Sequence, residues 1–401
     1  MAEAAMRPVW AEIDLAAVRH NVQALRRISG TDLCAVVKAD GYGHGAVAIA
    51  NAALEAGAEW LGVAVSEEGM ELRRSGITAP VLVLSEPTAD EMVLATSNGL
   101  PFAVYTQEGI TAAENAARQT GRVADVHLKV DSGMHRVGAE PADVPVLARA
   151  ITESPHLHLG SVWTHLAVAD GVTEEDRAFT AHQVDLYNEV LFNVAASGID
   201  VPMRHAANSA GAIAYPDARF DMIRCGIALY GQPPAPELVP LLGDLGVDLK
   251  PVLSLKAQVS QVRELDAGER PSYGRRRALP EDSTVAVIPV GYADGLPRAY
   301  FERGGTVLVG GRRRPLAGTV TMDQTVVDCG PDSGVAVGDE VVLIGSQGRE
   351  TLTATDWAEV LGTISYEVLC GIGQRVPRVL VDHRAGVEDE MDRGVTVGGS
   401  S

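Results

Sequence analysis

Cysteine is scarce in this chain of 401 residues: Cys34, Cys225, Cys329 and Cys370 are scattered, with no C-x-x-C pair. That spacing argues against a zinc site or a disulfide framework and fits a reducing, cytoplasmic setting. Cations are short as well, with 33 Lys and Arg against 53 Asp and Glu and a formal charge of -20. Nucleic-acid binding needs clustered cations that release counterions, so the acidity reads as a solvated surface rather than a polyphosphate-binding face. No stretch approaches the ~20 apolar residues needed to cross a bilayer, and the opening MAEAAMRPVW has no apolar signal core, so no membrane role is expected. Neither G-x-x-x-x-G-K-[ST] nor G-x-G-x-x-G occurs, which makes a nucleotide a poor candidate ligand. Aromatic residues are only 4% of a chain that is 46% hydrophobic, so the core is built from small aliphatics that suit interleaved helices and strands.

What is present is a rhythm. From about Leu33 to Tyr230, short apolar runs alternate with amphipathic, helix-like segments. CAVVK, LGVAV, VLVLS, PFAVY, VADVHLKVD, LHLGSVWTH, PMRHAA and FDMIRCG are eight candidate strands. Near-continuous Val/Ile/Leu runs mark strands buried on both faces, and eight strand-helix units in succession favour a closed barrel over an open sheet. The predicted fold class is therefore α/β: a TIM-like (β/α)8 barrel over 12–240. After the proline-rich GQPPAPELVP the pattern changes to strand-like runs split by Gly, Pro and Asp, which predicts a mainly β domain over 245–383 that the extreme N-terminal residues can join. The tail 384–401 has too little apolar content to pack and reads as disordered.

In parallel barrels, chemistry gathers where strands end and loops begin. Lys38 closes CAVVK ahead of the glycine-rich ADGYGHG. A partly buried lysine loses solvation of its charged form, which lowers its pKa and makes it a competent Schiff-base nucleophile. A strand-end lysine taken alone usually points into water, but other strand ends are polar too. Lys129 and Asp131 close one strand, with Arg136 just beyond; His165 closes another; Asn208 and Ser209 follow in HAANSAG, and Arg224 in MIRCG. Ser209, opening a turn toward a helix, and Gly226, which leaves backbone N–H groups open to approach, are the kind of groups that cradle a phosphate. A rim lysine with a phosphate cradle suggests pyridoxal phosphate.

At this point the residues resemble those of the alanine racemases. VVKADGYGHGA matches that family's lysine motif nearly residue for residue, and LKVDSGMHRVG, THLAVAD, ANSA, IRCGIALYG, SYGR, VGYADG, TMDQ and SYEVLCGIGQRVPR follow in the family's order, over about 30–380. The resemblance implies a homodimeric, cytoplasmic isomerase that interconverts L- and D-alanine and supplies D-alanine for peptidoglycan, with no metal. It implies that Lys38 holds pyridoxal phosphate as a Schiff base, and that Tyr42, Ser209, the Gly226 and Ile227 backbone and Tyr366 hold the phosphate. Arg224 would face the pyridine nitrogen, supported by His165, with Asn208 beside the cofactor. Arg136 would bond the phenolic oxygen and be oriented by Lys129, which is carbamylated in many members. Tyr273 would be the opposing base, arriving from the partner subunit together with Met322 and Asp323, with Tyr292 in support.

Those assignments imply a mechanism. Racemisation strips the Cα proton from one face and returns one to the other, so two acid-base groups on opposite faces are needed. Lys38 would serve the D-face and Tyr273 the L-face. A tyrosine near its ordinary pKa of ~10 is a poor base unless cations stabilise its phenolate. Arg224 cannot accept a proton, so the pyridine ring stays neutral and transamination is disfavoured. The chain departs from the family pattern in GTVTMDQ, where Thr319 and Thr321 stand at places that many members give to Arg and Cys, and in the basic run Arg275, Arg276 and Arg277. Three alternatives stay open: a serine or broad-spectrum racemase, a decarboxylase of related architecture, which the Arg224 context disfavours, and a non-catalytic pyridoxal-phosphate carrier, which would have no use for Tyr273.

Overall fold

The computed structural model describes residues 7–382. The tail expected to be disordered, 384–401, lies outside the described residues. The chain starts with strand β1 (Val9–Asp14), then a helix, Leu15–Ser29. Asp14 caps that helix by accepting the Ala16 and Ala17 N–H groups, and Gly30 ends it in the left-handed conformation.

Eight strands follow: β2 (Asp32–Val36), β3 (Trp60–Val63), β4 (Val81–Val83), β5 (Phe102–Val104), β6 (Ala124–Lys129), β7 (Leu157–Trp163), β8 (Arg204–His205) and β9 (Met222–Cys225). Each overlaps one of the eight apolar runs. All neighbours pair in parallel, in the order β8-β7-β6-β5-β4-β3-β2-β9. The two ends of that sheet are then laced together: Asp221 N–H donates to the Arg204 carbonyl (3.0 Å) and Arg224 N–H to the Ala207 carbonyl (2.9 Å). The sheet thus curls into the expected TIM-like barrel, and β4 and β5 are buried at every position because helices cover one face and the barrel core the other.

The second half is mainly β, as its Gly/Pro/Asp-punctuated runs imply. It contains β10 (Leu253–Gln258), β11 (Gln261–Leu265), β12 (Ser283–Ile288), β13 (Thr306–Val309), β14 (Arg312–Pro315), β15 (Thr325–Asp328), β16 (Glu340–Gln347), β17 (Glu350–Leu352) and β18 (Arg378–Val381). One sheet runs β14-β13-β16-β10-β1-β18 with β17 on β16, and a second runs β11-β12-β15. β1 pairs antiparallel to β10 and parallel to β18, so the two ends of the described chain meet in the sheet of the second half. No described helix is long and apolar enough to cross a membrane.

Candidate active site

The barrel mouth opens into a cavity of about 660 Å³ whose lining includes Lys38, Tyr42, Lys129, Arg136, Trp163, His165, Asn208, Ser209, Arg224, Gly226, Ile227 and Tyr366. Every barrel residue singled out from the sequence except Asp131, which instead accepts the Gly133 and His135 N–H groups, is therefore in one place, together with Tyr366 from the second half.

Lys38 is not the last residue of its strand, as the pattern suggested. β2 stops at Val36, and Lys38 opens a left-handed turn in which Ala39, Asp40, Gly41 and Tyr42 all have φ between 51° and 60°. Such a conformation costs roughly 1–2 kcal/mol per non-glycine residue, so something must hold it. Glu68 accepts the Ala39 N–H (2.6 Å), Asp40 accepts the Ala46 N–H (2.9 Å), and Gly41 N–H reaches the Val37 carbonyl (2.8 Å). The turn swings the Lys38 amine over the mouth and buries Tyr42 beneath it. Burial lowers the Lys38 pKa from the ordinary lysine range, Arg136 adds to the effect, and Glu68 opposes it.

On one side of the cavity Tyr42 lies 4.7 Å, ring to ring, from Tyr230 and 6.3 Å from Tyr366. Burial pushes both the Tyr42 and the Tyr366 phenols up, which keeps them as hydroxyl donors. Ser209 begins the helix Ser209–Ala214, capped by the Asn208 side chain through the Gly211 N–H (2.9 Å). The Ser209 hydroxyl accepts the Gly226 N–H (3.0 Å) and the Ala228 N–H (3.4 Å). A Cβ at Gly226 would collide with the Tyr42 hydroxyl, so glycine is required for these donors to converge.

On the other side Arg224 is buried and uses neutral acceptors: the Thr164 and Ala206 carbonyls (2.8 and 3.0 Å) and Nδ1 of His205 and His165 (2.8 and 3.2 Å). Burial lowers it to about 10, which leaves it charged at neutral pH. Burial, then Arg224, holds His165 well below its usual range, so it stays neutral. Lys129 is 4% exposed, its amine 4.5 Å above the Trp163 ring. Burial, with Arg224 and Arg136 adding, pushes it down to about 7.

Four of the expected residues are elsewhere. Tyr273, Tyr292 and Met322 are 68%, 43% and 52% exposed on the second half, and none lines the mouth of this chain. Asp323 pairs with Arg375 (2.8 Å). Thr319, a departure from the family pattern, donates from its hydroxyl to the Tyr273 carbonyl (2.9 Å) and so anchors that loop. Thr321 accepts the Tyr292 N–H at its carbonyl (3.0 Å). The sequence reading passed over Trp163 and His205, which pack against Arg224, and Glu68. A signal for the first existed: Ser161, Trp163 and His165 are spaced by two on β7 and just past its end, the period of residues sharing one face of a strand.

Comparison with known proteins agrees with this architecture. The models of the alanine racemase N-terminal and C-terminal domains match residues 13–234 and 252–380. An alanine racemase of Symbiobacterium thermophilum is 49% identical over 374 residues, 93% of this chain and 97% of the relative, and one of Thermobifida fusca is 42% identical, over 92% and 97%. Among solved structures, alanine racemase of Streptomyces coelicolor superposes with a TM-score of 0.88 at 39% identity, covering 94% of this chain and 99% of that one. The Bacillus anthracis enzyme with bound L-Ala-P gives 0.87 at 36% identity, over 94% and 96%. Two domain matches that together span most of the sequence, and relatives aligned nearly end to end, leave one conclusion: this chain belongs to the alanine racemase family.

Proposed function

We propose that the chain is an alanine racemase that interconverts L- and D-alanine, with pyridoxal phosphate at the barrel mouth and a site completed by a second copy of the chain. The observation that carries this reading is the convergence, on one cavity, of a lysine with a lowered pKa, a hydroxyl-and-backbone cradle and a buried arginine held by neutral acceptors.

The residues present fit that cofactor. Tyr42, Ser209, Gly226, Ile227 and Tyr366 would take the phosphate, and the glycine that a Cβ would fill lies in the middle of them. Lys38 would hold the cofactor covalently, while Arg224 and Arg136 would meet the ring, with Asn208 and His165 beside it. The buried Trp163 Nε1 has no described partner, which leaves one donor at this wall. When bound, pyridoxal phosphate supplies an electron sink that acidifies the Cα–H of an attached amino acid.

The chain's own groups then divide the work. Lys38 Nζ, whose proton affinity burial lowers, would take or return the proton on one face of Cα. Tyr273 of a second copy carries the proton on the other face, with Met322, Asp323 and Tyr292 arriving on the same surface. Arg224 would offer only N–H groups to a ring nitrogen, which would favour that nitrogen unprotonated and limit the electron sink the cofactor supplies. A lysine amine near 7 is substantially neutral at cellular pH, the form that carbon dioxide can carbamylate, which supports Lys129 as the group that orients Arg136. D-alanine made in the cytoplasm for peptidoglycan is the role this activity serves.

Chiral analysis of single amino acids incubated with the purified, cofactor-loaded protein tests the reading. D-alanine forming from L-alanine, and the reverse, is expected; a protein that binds pyridoxal phosphate but interconverts neither enantiomer would overturn it.

A further inference from the structure

Below the cavity, a file of polar side chains runs from Arg224, at the cavity wall, into the barrel interior. His127 on β6, Ser161 on β7, His205 on β8 and Arg224 on β9 all point inward and are buried. Strand register brings them together, since His127 lies opposite Ser161 and Trp163 opposite His205. Arg224 Nη1 is 2.8 Å from His205 Nδ1, His205 Nε2 is 2.9 Å from Ser161 Oγ, and Ser161 Oγ is 2.7 Å from His127 Nδ1.

The chemistry of the first member fixes the proton on His205, and the carboxylate at the far end orients the rest. A guanidinium has donors and no acceptor, so His205 Nδ1 must accept and its proton sits on Nε2. That N–H donates to Ser161; the Asp125 carboxylate, 3.8 Å from His127 Nε2, favours the His127 proton on that nitrogen, which leaves His127 Nδ1 to accept the Ser161 hydroxyl. Every bond runs in the same direction, away from Arg224, so each link polarises the next and presents its acceptor end to the guanidinium. Burial pushes His127 down to about 4 and, with Arg224, holds His205 well below the usual range, so neither ring competes with Arg224 for positive charge. Trp163 stacks on His205 at 5.4 Å and 12°, which fixes the plane of that ring. At the far end, Gly160 makes room for the file: a Cβ there would lie 2.6 Å from His127 Nε2.

We propose that Ser161 and His127 are positioning residues, whose one-way relay locks His205 with Nδ1 as an acceptor and so holds Arg224 in place at the cofactor's ring. The relay is a property of the chain itself; its meaning for the cofactor rests on the function proposed above. Without the Ser161 acceptor, the Nε2–H that Arg224 favours is left buried and unpaired, and only the Arg224 bond then opposes moving the proton to Nδ1. Two N–H groups would then face each other, and Arg224 would have to turn away.

The test uses full-length protein with ¹⁵N-labelled histidine, with and without pyridoxal phosphate, as the parent and as Ser161→Ala, Ser161→Thr and His127→Phe. In the parent, His205 is expected to show an unprotonated Nδ1 and a protonated Nε2 whether or not the cofactor is bound. Ser161→Ala should mix the two tautomers and raise the pyridoxal-phosphate dissociation constant about 5- to 10-fold, the worth of roughly one net hydrogen bond. Ser161→Thr should restore both. His127→Phe keeps a planar aromatic ring, one atom larger, and removes the last acceptor, and should disturb the His205 tautomer without any substitution on β7. A parent protein with its His205 proton on Nδ1, or variants that keep the parent tautomer and cofactor retention, would overturn the proposal. The chiral assay separates the two ideas: an inactive parent with the stated tautomer sinks the function and leaves the relay standing, whereas an active parent with indifferent variants does the opposite.

Discussion

The barrel mouth and the Tyr273 loop are built to opposite specifications. At the mouth, charged groups are buried and held: Arg224 has four neutral acceptors, Lys129 is 4% exposed, and Lys38 rides on a left-handed turn tied down by Glu68 and Asp40. Around Tyr273, aromatic and thioether side chains stand in solvent while their backbones are bonded firmly; Thr319 holds the Tyr273 carbonyl and Thr321 holds the Tyr292 N–H. A large apolar side chain left exposed on a fixed backbone is the mark of a surface shaped to meet something. One region is held in place within the chain, and the other is the half that, on the proposed function, a second copy would receive.

The sharpest way to break that comparison is to inactivate the halves separately. Lys38→Ala and Tyr273→Phe should each lose roughly 100- to 10,000-fold in racemisation rate, the usual worth of a positioned acid-base group. Lys38→Ala should also lose the visible absorption of covalently held cofactor, whereas Tyr273→Phe keeps it. Mixing the two inactive proteins under conditions that exchange subunits should then restore activity, because one site of each hybrid combines the intact lysine with the intact tyrosine. Absence of rescue, with hybrids shown by mass spectrometry, would mean that each chain works alone.

A smaller effect is expected within the finished half. Gly226→Ala drives a methyl group into the Tyr42 hydroxyl and should weaken pyridoxal-phosphate binding about 10-fold or more, read by dialysis or fluorescence, while Tyr273→Phe leaves binding near the parent value. Equal losses in the two variants would erase the distinction drawn here.

Lys129 gives a pH signature of burial. Its pKa is pushed from 10.5 down to about 7, so between those values the unfolded chain binds more protons than the folded one, and this lysine's contribution to stability improves as pH rises through that window. The stability gained in Lys129→Met should accordingly be largest near pH ~6 and fade by pH ~10. Denaturant midpoints measured across this range check it, and a gain independent of pH would contradict the buried-cation account. The smallest effect belongs to the Tyr273 loop: Thr319→Val removes one hydrogen bond to the Tyr273 backbone and should lower kcat by a few-fold, about 1 kcal/mol or less, with cofactor affinity unchanged.

Much of this molecule is readable before any fold is known, for identifiable reasons. The barrel strands are buried on both faces, so they appear as unbroken apolar runs, and their polar ends mark the rim. β14 escaped because Arg312–Pro315 is mostly charge, and its pairing with β13 is set by the hairpin rather than by hydrophobicity. The left-handed turn after β2 escaped because Ala39, Asp40 and Tyr42 do not favour that conformation locally; bonds to Glu68 and to Ala46 impose it.

By itself, then, the sequence determined the family and the fold class, and it named the lysine, arginine and tyrosine that the proposed function uses, because motif chemistry and strand periodicity are local properties. Tertiary structure alone decided that His127 would stand opposite Ser161, that Lys129 would be dry enough to approach neutrality, and that Tyr273 would lie exposed outside its own chain's cavity. Register, desolvation and direction depend on partners far away along the chain, and no short stretch of residues contains its own surroundings.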